Sequence, residues 1–165
     1  KVEIDKKQGI LRLPDGVLFD SGQSNIPNPS EAYNAAIEVS EAFYKVLKCS
    51  VFVKDNPEVF AQNFYRYEGN DCYLGNAEGA FVDSIFIEGH TDNVPMAFSE
   101  RFRSNWDLSA ARSAAVADYL LDNSSVEEGR VTIVGLADTK PIRPNSTPQG
   151  RAKNRRIEVI IDGGS

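Results

Sequence analysis

Residues 85–95 read IFIEGHTDNVP. Ile85, Phe86 and Ile87 make an unbroken apolar run, the pattern of a buried strand, and Gly89, His90, Thr91 and Asp92 mark where it gives way to a loop. A strand over 81–88 is therefore predicted, with a polar loop over 93–104. Downstream, Leu108, Ala111, Ala115, Val116, Tyr119 and Leu120 recur at helical spacing, so an alanine-rich helix is expected over 106–122, ended by Asp122, Asn123 and Ser124. Val131–Val134 and Ile157–Ile161 supply two more strands on either side of a Pro-, Gly- and Arg-rich segment over 138–156. Upstream, Val2–Ile4, Ile10–Leu13 and Val17–Phe19 read as short strands, divided by the turn signals Lys-Lys-Gln-Gly and Pro14-Asp15-Gly16. Asn28, Pro29 and Glu31 start a first helix expected over 29–48. Strands alternating with helices predict an α/β (α+β) sandwich, with helices packed on a mixed sheet in one domain spanning 1–165.

The chain has 165 residues, of which 41% are hydrophobic and 25% charged, which suits one globular domain. No apolar run approaches the roughly 18 residues that a membrane helix requires. A net charge of -6 argues against duplex nucleic acid as a partner. No charged-then-apolar leader follows Lys1, so the sequence is expected to be a segment of a longer protein.

Cys49 and Cys72 are the only cysteines. They bracket a segment rich in Phe and Tyr (Phe52, Phe60, Phe64, Tyr65, Tyr67) with no helical or alternating period, and the stretch 49–79 reads as an insertion. A disulfide closing it would stabilise by roughly 3 kcal/mol in the chain-entropy model. Two reduced, buried thiols are the alternative, and the spacing excludes a Cys-x-x-Cys redox motif.

Six of the 18 basic residues fall between Asp138 and Glu158: Lys140, Arg143, Arg151, Lys153, Arg155 and Arg156. Within an acidic chain they form a local cationic rim able to hold carboxylates or phosphates, or else a solvated loop. Arg112 lies four residues after Leu108 and four before Val116, which puts a guanidinium in or beside the apolar stripe of its helix. It needs an anionic partner there. Asp92 is the candidate, either as a structural ion pair with Arg112 or as the acid of a pair that grips a zwitterion. His90 is the only histidine, so a zinc site would have to recruit the distant cysteines. A Ser-His-Asp triad from Ser99 or Ser109 with His90 and Asp92 fails because Asp92 is two residues from the histidine at a strand end. No metal, cofactor or catalytic residue is expected.

IFIEGHTDNVP (85–95), SNWDLSAARSAAVADYL (104–121) and VGLADTKPIRPNSTPQGRAKNRRIEVII (134–161), together with LFDSGQSNI (18–26), resemble the OmpA-like peptidoglycan-binding domain, MotB-like branch. That branch includes flagellar-type stator B subunits and the MotB-like subunit of Zorya systems. The resemblance implies a βαβαβ core and a noncatalytic function: binding the meso-diaminopimelate of a peptidoglycan stem peptide and anchoring a membrane protein or stator complex to the cell wall. It implies that Asp92 and Arg112 hold the ligand's charged groups, with Thr91, Asn105 and Leu108 beside it and Arg151 and Arg155 near its carboxylates. It further implies a periplasmic location, membrane attachment through a segment outside this sequence, homodimerisation, and a compartment that permits the Cys49–Cys72 bridge. Family members usually join the first helix to the next strand more briefly, so 49–79 is additional here. The competing expectation is a protein-interaction domain whose groove that insertion blocks or replaces.

Overall fold

The computed structural model describes residues 2–5, 7–26, 81–97, 100–123 and 128–164. The expected helix over 29–48, the insertion and both cysteines lie outside the described residues. Among the described residues five strands, β1 (Glu3–Asp5), β2 (Ile10–Pro14), β3 (Phe81–His90), β4 (Val131–Gly135) and β5 (Arg156–Gly164), form one sheet in the order β1-β2-β5-β3-β4. β3 and β4 are parallel and every other pair is antiparallel, so the sheet is mixed, as expected.

Alternation along three central strands builds the core. Leu11 is opposite Val159 and Val159 opposite Ile87; in the next layer Leu13 is opposite Ile157. These five residues and Ile85 are at most 1% exposed. On this face lies α2 (Asn105–Asn123), which contributes Val116, Ala117 and Leu120. Burial of such side chains stabilises by about 1.5–3 kcal/mol each. Because β3 and β4 are parallel, the chain must cross over between them, and α2 is the covering helix.

The helix approaches the sheet closely at one end. Gly89 and Gly135 are register partners on β3 and β4. A Cβ on Gly89 would run into the Ser109 carbonyl oxygen, and one on Gly135 would lie 2.7 Å from the Ala110 nitrogen. Ser109 and Ser113, both fully buried, fill the contact with hydroxyls that stay hydrogen-bonded: Ser113 Oγ donates to the Val134 carbonyl (3.0 Å), and Ser109 Oγ accepts from the Ala137 N–H (3.1 Å).

Two local expectations need correction. Val17–Phe19 is not a strand: Asp15–Leu18 form one helical turn, α1, closed by the Phe19 N–H donating to the Asp15 carbonyl (2.8 Å). Pro14 is the last register partner of β5, and after one further bond, the Asp15 N–H to the Arg155 carbonyl (3.1 Å), the chain turns away into α1. Secondly, the segment over 138–156 contains the helix α3 (Pro148–Asn154). Thr147 caps it by accepting the Gly150 N–H (3.0 Å), Pro148 occupies its first turn, and Arg151 and Lys153 lie in its last turn, where cations favour the helix dipole. Asn154 then pins the preceding loop. Its Oδ1 accepts from the Ile142 and Arg143 N–H groups (2.8 and 3.0 Å), and its Nδ2 donates to the Arg143 carbonyl and Asn145 Oδ1 (both 2.8 Å). A fully buried amide is thereby satisfied.

Candidate ligand-binding groove

A groove of ≈ 630 Å³ forms where the C-terminal end of β3, the start of α2, the α3 end and the α1 turn converge. Thr91, Asp92, Asn105, Leu108, Arg112, Arg151 and Arg155, all seven residues singled out from the sequence, line it. Thr91 and Asp92 directly follow β3. Asn105, Leu108 and Arg112 share one face of α2, at intervals of three and four residues. Arg151 lies on α3 and Arg155 just beyond it.

The loop after β3 is fixed before any ligand arrives. The Thr91 N–H donates to the Ala137 carbonyl (2.8 Å), and Ala137 itself adopts a left-handed conformation (φ 49°) that alanine rarely takes. Thr91 Oγ1 donates to the Asp92 carbonyl and Asp92 Oδ1 accepts the Val94 N–H, both at 2.9 Å. Across the groove, Asn105 Nδ2 donates to the Val94 carbonyl (2.9 Å), tying α2 to the same loop.

The ion pairs differ from the Asp92–Arg112 pairing suggested by the sequence. Asp92 Oδ2 meets Arg155 Nη1 at 2.7 Å. Arg112 Nη1 instead meets Asp15 Oδ2 at 3.1 Å, and the same oxygen lies 3.6 Å from Arg155 Nε. The result is a row of alternating charge: Asp92, Arg155, Asp15, Arg112. Arg112 also donates from Nε to the Gln23 carbonyl (2.9 Å) and from Nη2 to the Asp20 carbonyl (3.4 Å), while its guanidinium lies 5.1 Å from the Phe19 ring centre. It thus clasps the chain over 15–23 to α2. Burial lowers the Arg112 pKa and Asp15 acts in the opposite sense; arginine nonetheless stays charged. Arg112 is only 3% exposed, whereas the Arg155 side chain is 38% exposed, so Arg155 is the more accessible guanidinium.

Asp15 is the functional candidate that sequence reasoning missed. Pro14-Asp15-Gly16 was legible only as turn punctuation, and no local pattern links Asp15 to an arginine 97 residues away.

A second polar cluster lies on the sheet face opposite α2. Glu88, His90 and Glu158 offer three ligand atoms within 4.8 Å of one another, so among the described residues two carboxylates are the neighbours the fold gives His90. His90 Nε2 is 3.3 Å from Glu88 Oε2. Glu158 Oε1, however, receives Arg12 Nε and Arg156 Nε, each at 2.9 Å. Both guanidiniums thus compete for one oxygen of Glu158. Within the cluster, Glu158 is the acid that the two guanidiniums hold, and Glu88 faces His90. Burial raises the Glu158 pKa, but hydrogen bonds from Arg156 and Arg12 outweigh it and leave the group below the ordinary carboxylate value.

Residues 77–155 match the model of the OmpA family. The uncharacterized protein YtxE of Bacillus subtilis is 40% identical over 157 residues, covering 95% of this chain and 49% of that protein. The peptidoglycan-binding protein ArfA of Mycobacterium tuberculosis is 44% identical over 78 residues, covering 47% of this chain and 22% of that protein. The chain thus spans half or less of the length of these relatives. Among solved structures, the cell wall anchor of the T6SS from Pseudomonas aeruginosa superposes with a TM-score of 0.63 at 26% identity, over 94% of this chain and 81% of that one. A putative MotB like protein from Desulfovibrio vulgaris gives a TM-score of 0.64 at 25% identity, over 99% and 78%.

Proposed function

We propose, from the premise that the chain is an OmpA-like, MotB-like domain, that it is a noncatalytic module binding peptidoglycan through the meso-diaminopimelate of a stem peptide, and so anchors a larger protein to the cell wall. The observation that carries this reading is the row Asp92–Arg155–Asp15–Arg112 along the groove, with Arg151 beside it. A diaminopimelate centre carries an ammonium and a carboxylate on one carbon. Alternating acids and arginines hold both, the carboxylate through a guanidinium fork and the ammonium through a carboxylate. Neither interaction requires a proton to move or a nucleophile to be activated. The relatives' names, a peptidoglycan-binding protein and a cell wall anchor, support the same reading.

The wider assembly belongs to the proposal as well. A periplasmic location, attachment to a membrane or stator complex through another segment, a homodimer and a Cys49–Cys72 bridge accord with a wall-facing module in an oxidising compartment. Among the described residues no helix is long and apolar enough to cross a membrane.

The test is binding of the 165-residue chain to meso-diaminopimelate and to sacculi. Asp92→Asn and Arg155→Gln are each expected to weaken binding by about 10- to 100-fold, the value of one charge-assisted contact. Arg143→Gln, an exposed arginine outside the groove, is the control and should bind like the parent. Equal affinity in all four proteins would remove the groove from the proposal.

A further inference from the structure

We propose that Asp15 is a specificity-determining residue of the groove: its carboxylate, shared between Arg112 and Arg155, makes the site select a carboxylate accompanied by an ammonium over a plain one. The inference rests on the proposed function and concerns a residue that the sequence motifs did not single out.

Position comes first. The Asp15 N–H donates to the Arg155 carbonyl (3.1 Å) and its own carbonyl accepts the Phe19 N–H (2.8 Å), so the backbone beneath the carboxylate is tied to the sheet end and closed into a turn. The side chain is 17% exposed and lines the groove. Its hydrogen bond to Arg112 and its close approach to Arg155 both use Oδ2, at 3.1 and 3.6 Å, which among the described residues leaves acceptor capacity on Oδ1. A carboxylate held this way is aimed before the ligand arrives and loses little freedom on binding.

Charge then gives the selectivity its sign. Without Asp15, three arginines (Arg112, Arg151, Arg155) would face one acid, Asp92, and the groove would accept carboxylates generally. With Asp15 between two of the guanidiniums, an entering carboxylate meets a negative charge where its attraction should be greatest. A ligand that brings its own ammonium compensates that charge and finds an acceptor in Asp15. A plain carboxylate does neither. Specificity of this kind is built from the repulsion offered to the wrong ligand as much as from attraction to the right one.

The experiment compares meso-diaminopimelate with pimelate, the same seven-carbon dicarboxylate lacking both amines, on the parent chain and on Asp15→Asn. The parent should favour meso-diaminopimelate by about tenfold or more, and Asp15→Asn should reduce that ratio to about threefold or less while binding pimelate more tightly than the parent does. A variant that keeps the parent's ratio overturns the role of Asp15 and leaves the proposed function standing. A parent that binds neither meso-diaminopimelate nor sacculi overturns the proposed function and this inference together. If the asparagine variant does not fold, the Asp15 carboxyl-carbon resonance of the parent carries the test. It should shift on adding meso-diaminopimelate and respond differently to pimelate; identical responses to the two ligands overturn the assignment.

Discussion

His90, the only histidine of the chain, is 3% exposed, and neither ring nitrogen makes a hydrogen bond among the described residues. Burial, and then the nearby Arg156 guanidinium, push its pKa down to about 4, against an opposing pull from Glu158. The unfolded chain takes up the proton near pH 6.5 and the folded one near 4, so between these values the unfolded state binds more protons. Stability contributed by neutral His90 is therefore fully present above pH 6.5 and is lost as the pH falls toward 4, by at most on the order of 3 kcal/mol. Glu88 works in the other direction: burial, followed by repulsion from Glu158, raises its pKa, so its contribution is lost as pH rises through the folded value. His90→Gln separates the two effects. Urea unfolding at several pH values should show the parent losing stability between pH 6.5 and 4, and the variant with a much flatter profile. Parallel profiles would mean that His90 does not titrate as its surroundings dictate.

At the scale of elements, the close approach of α2 to the β3–β4 pair links the fold to the groove. Alanine at 89 would place a methyl on the Ser109 carbonyl and 2.7 Å from Ser113 Oγ, so the helix or the strand end must shift. Gly89→Ala is expected to destabilise by about 3 kcal/mol and, because Thr91 and Asp92 follow directly, to weaken binding as well. Gly129→Ala is the matched control, since among the described residues nothing lies within 4 Å of its added Cβ, and a change of less than about 0.5 kcal/mol is expected. Thermal or denaturant unfolding distinguishes them. The elements themselves were unequally legible. β3 and α2 declared themselves through an apolar run and a long helical period. Helix α3 did not, because its seven residues carry a glycine in place of an apolar stripe; Thr147 followed by Pro148 was the available signal. The α1 turn resembled a strand because Val17, Leu18 and Phe19 are adjacent apolar residues, and the bond from the Phe19 N–H to the Asp15 carbonyl shows otherwise.

For the whole molecule, the site depends on parts of the chain far apart in sequence. All seven groove residues expected from the sequence fall within 91–155, inside the matched family segment. Arg112, however, is held by Asp15 and by the Asp20 and Gln23 carbonyls, and the core face of β3 and β5 packs with Leu11, Leu13, Leu18 and Phe19. A fragment starting at residue 77 keeps every one of the seven residues and loses that support, together with the β2 pairing along β5. It is expected to expose apolar surface, seen as binding of a hydrophobic dye, and to bind meso-diaminopimelate at least about tenfold more weakly than the 165-residue chain. Full affinity in the fragment would show that the N-terminal strands and turn are dispensable to the groove.

The sequence by itself determined what short-range patterns and motifs carry: the strands around Leu11, Ile87 and Val159, the helix with Leu108 and Val116 on its inner face, and the residue types gathered in the groove. Those features depend on neighbours within one or two turns, or on a motif that travels intact. The tertiary structure alone decided which charges meet. Asp15 pairs with Arg112 across 97 positions and Asp92 with Arg155 across 63. A buried guanidinium takes whichever acceptors the folded chain brings within reach, and that depends on how the α1 turn, the β3 end and α3 converge rather than on spacing along the sequence.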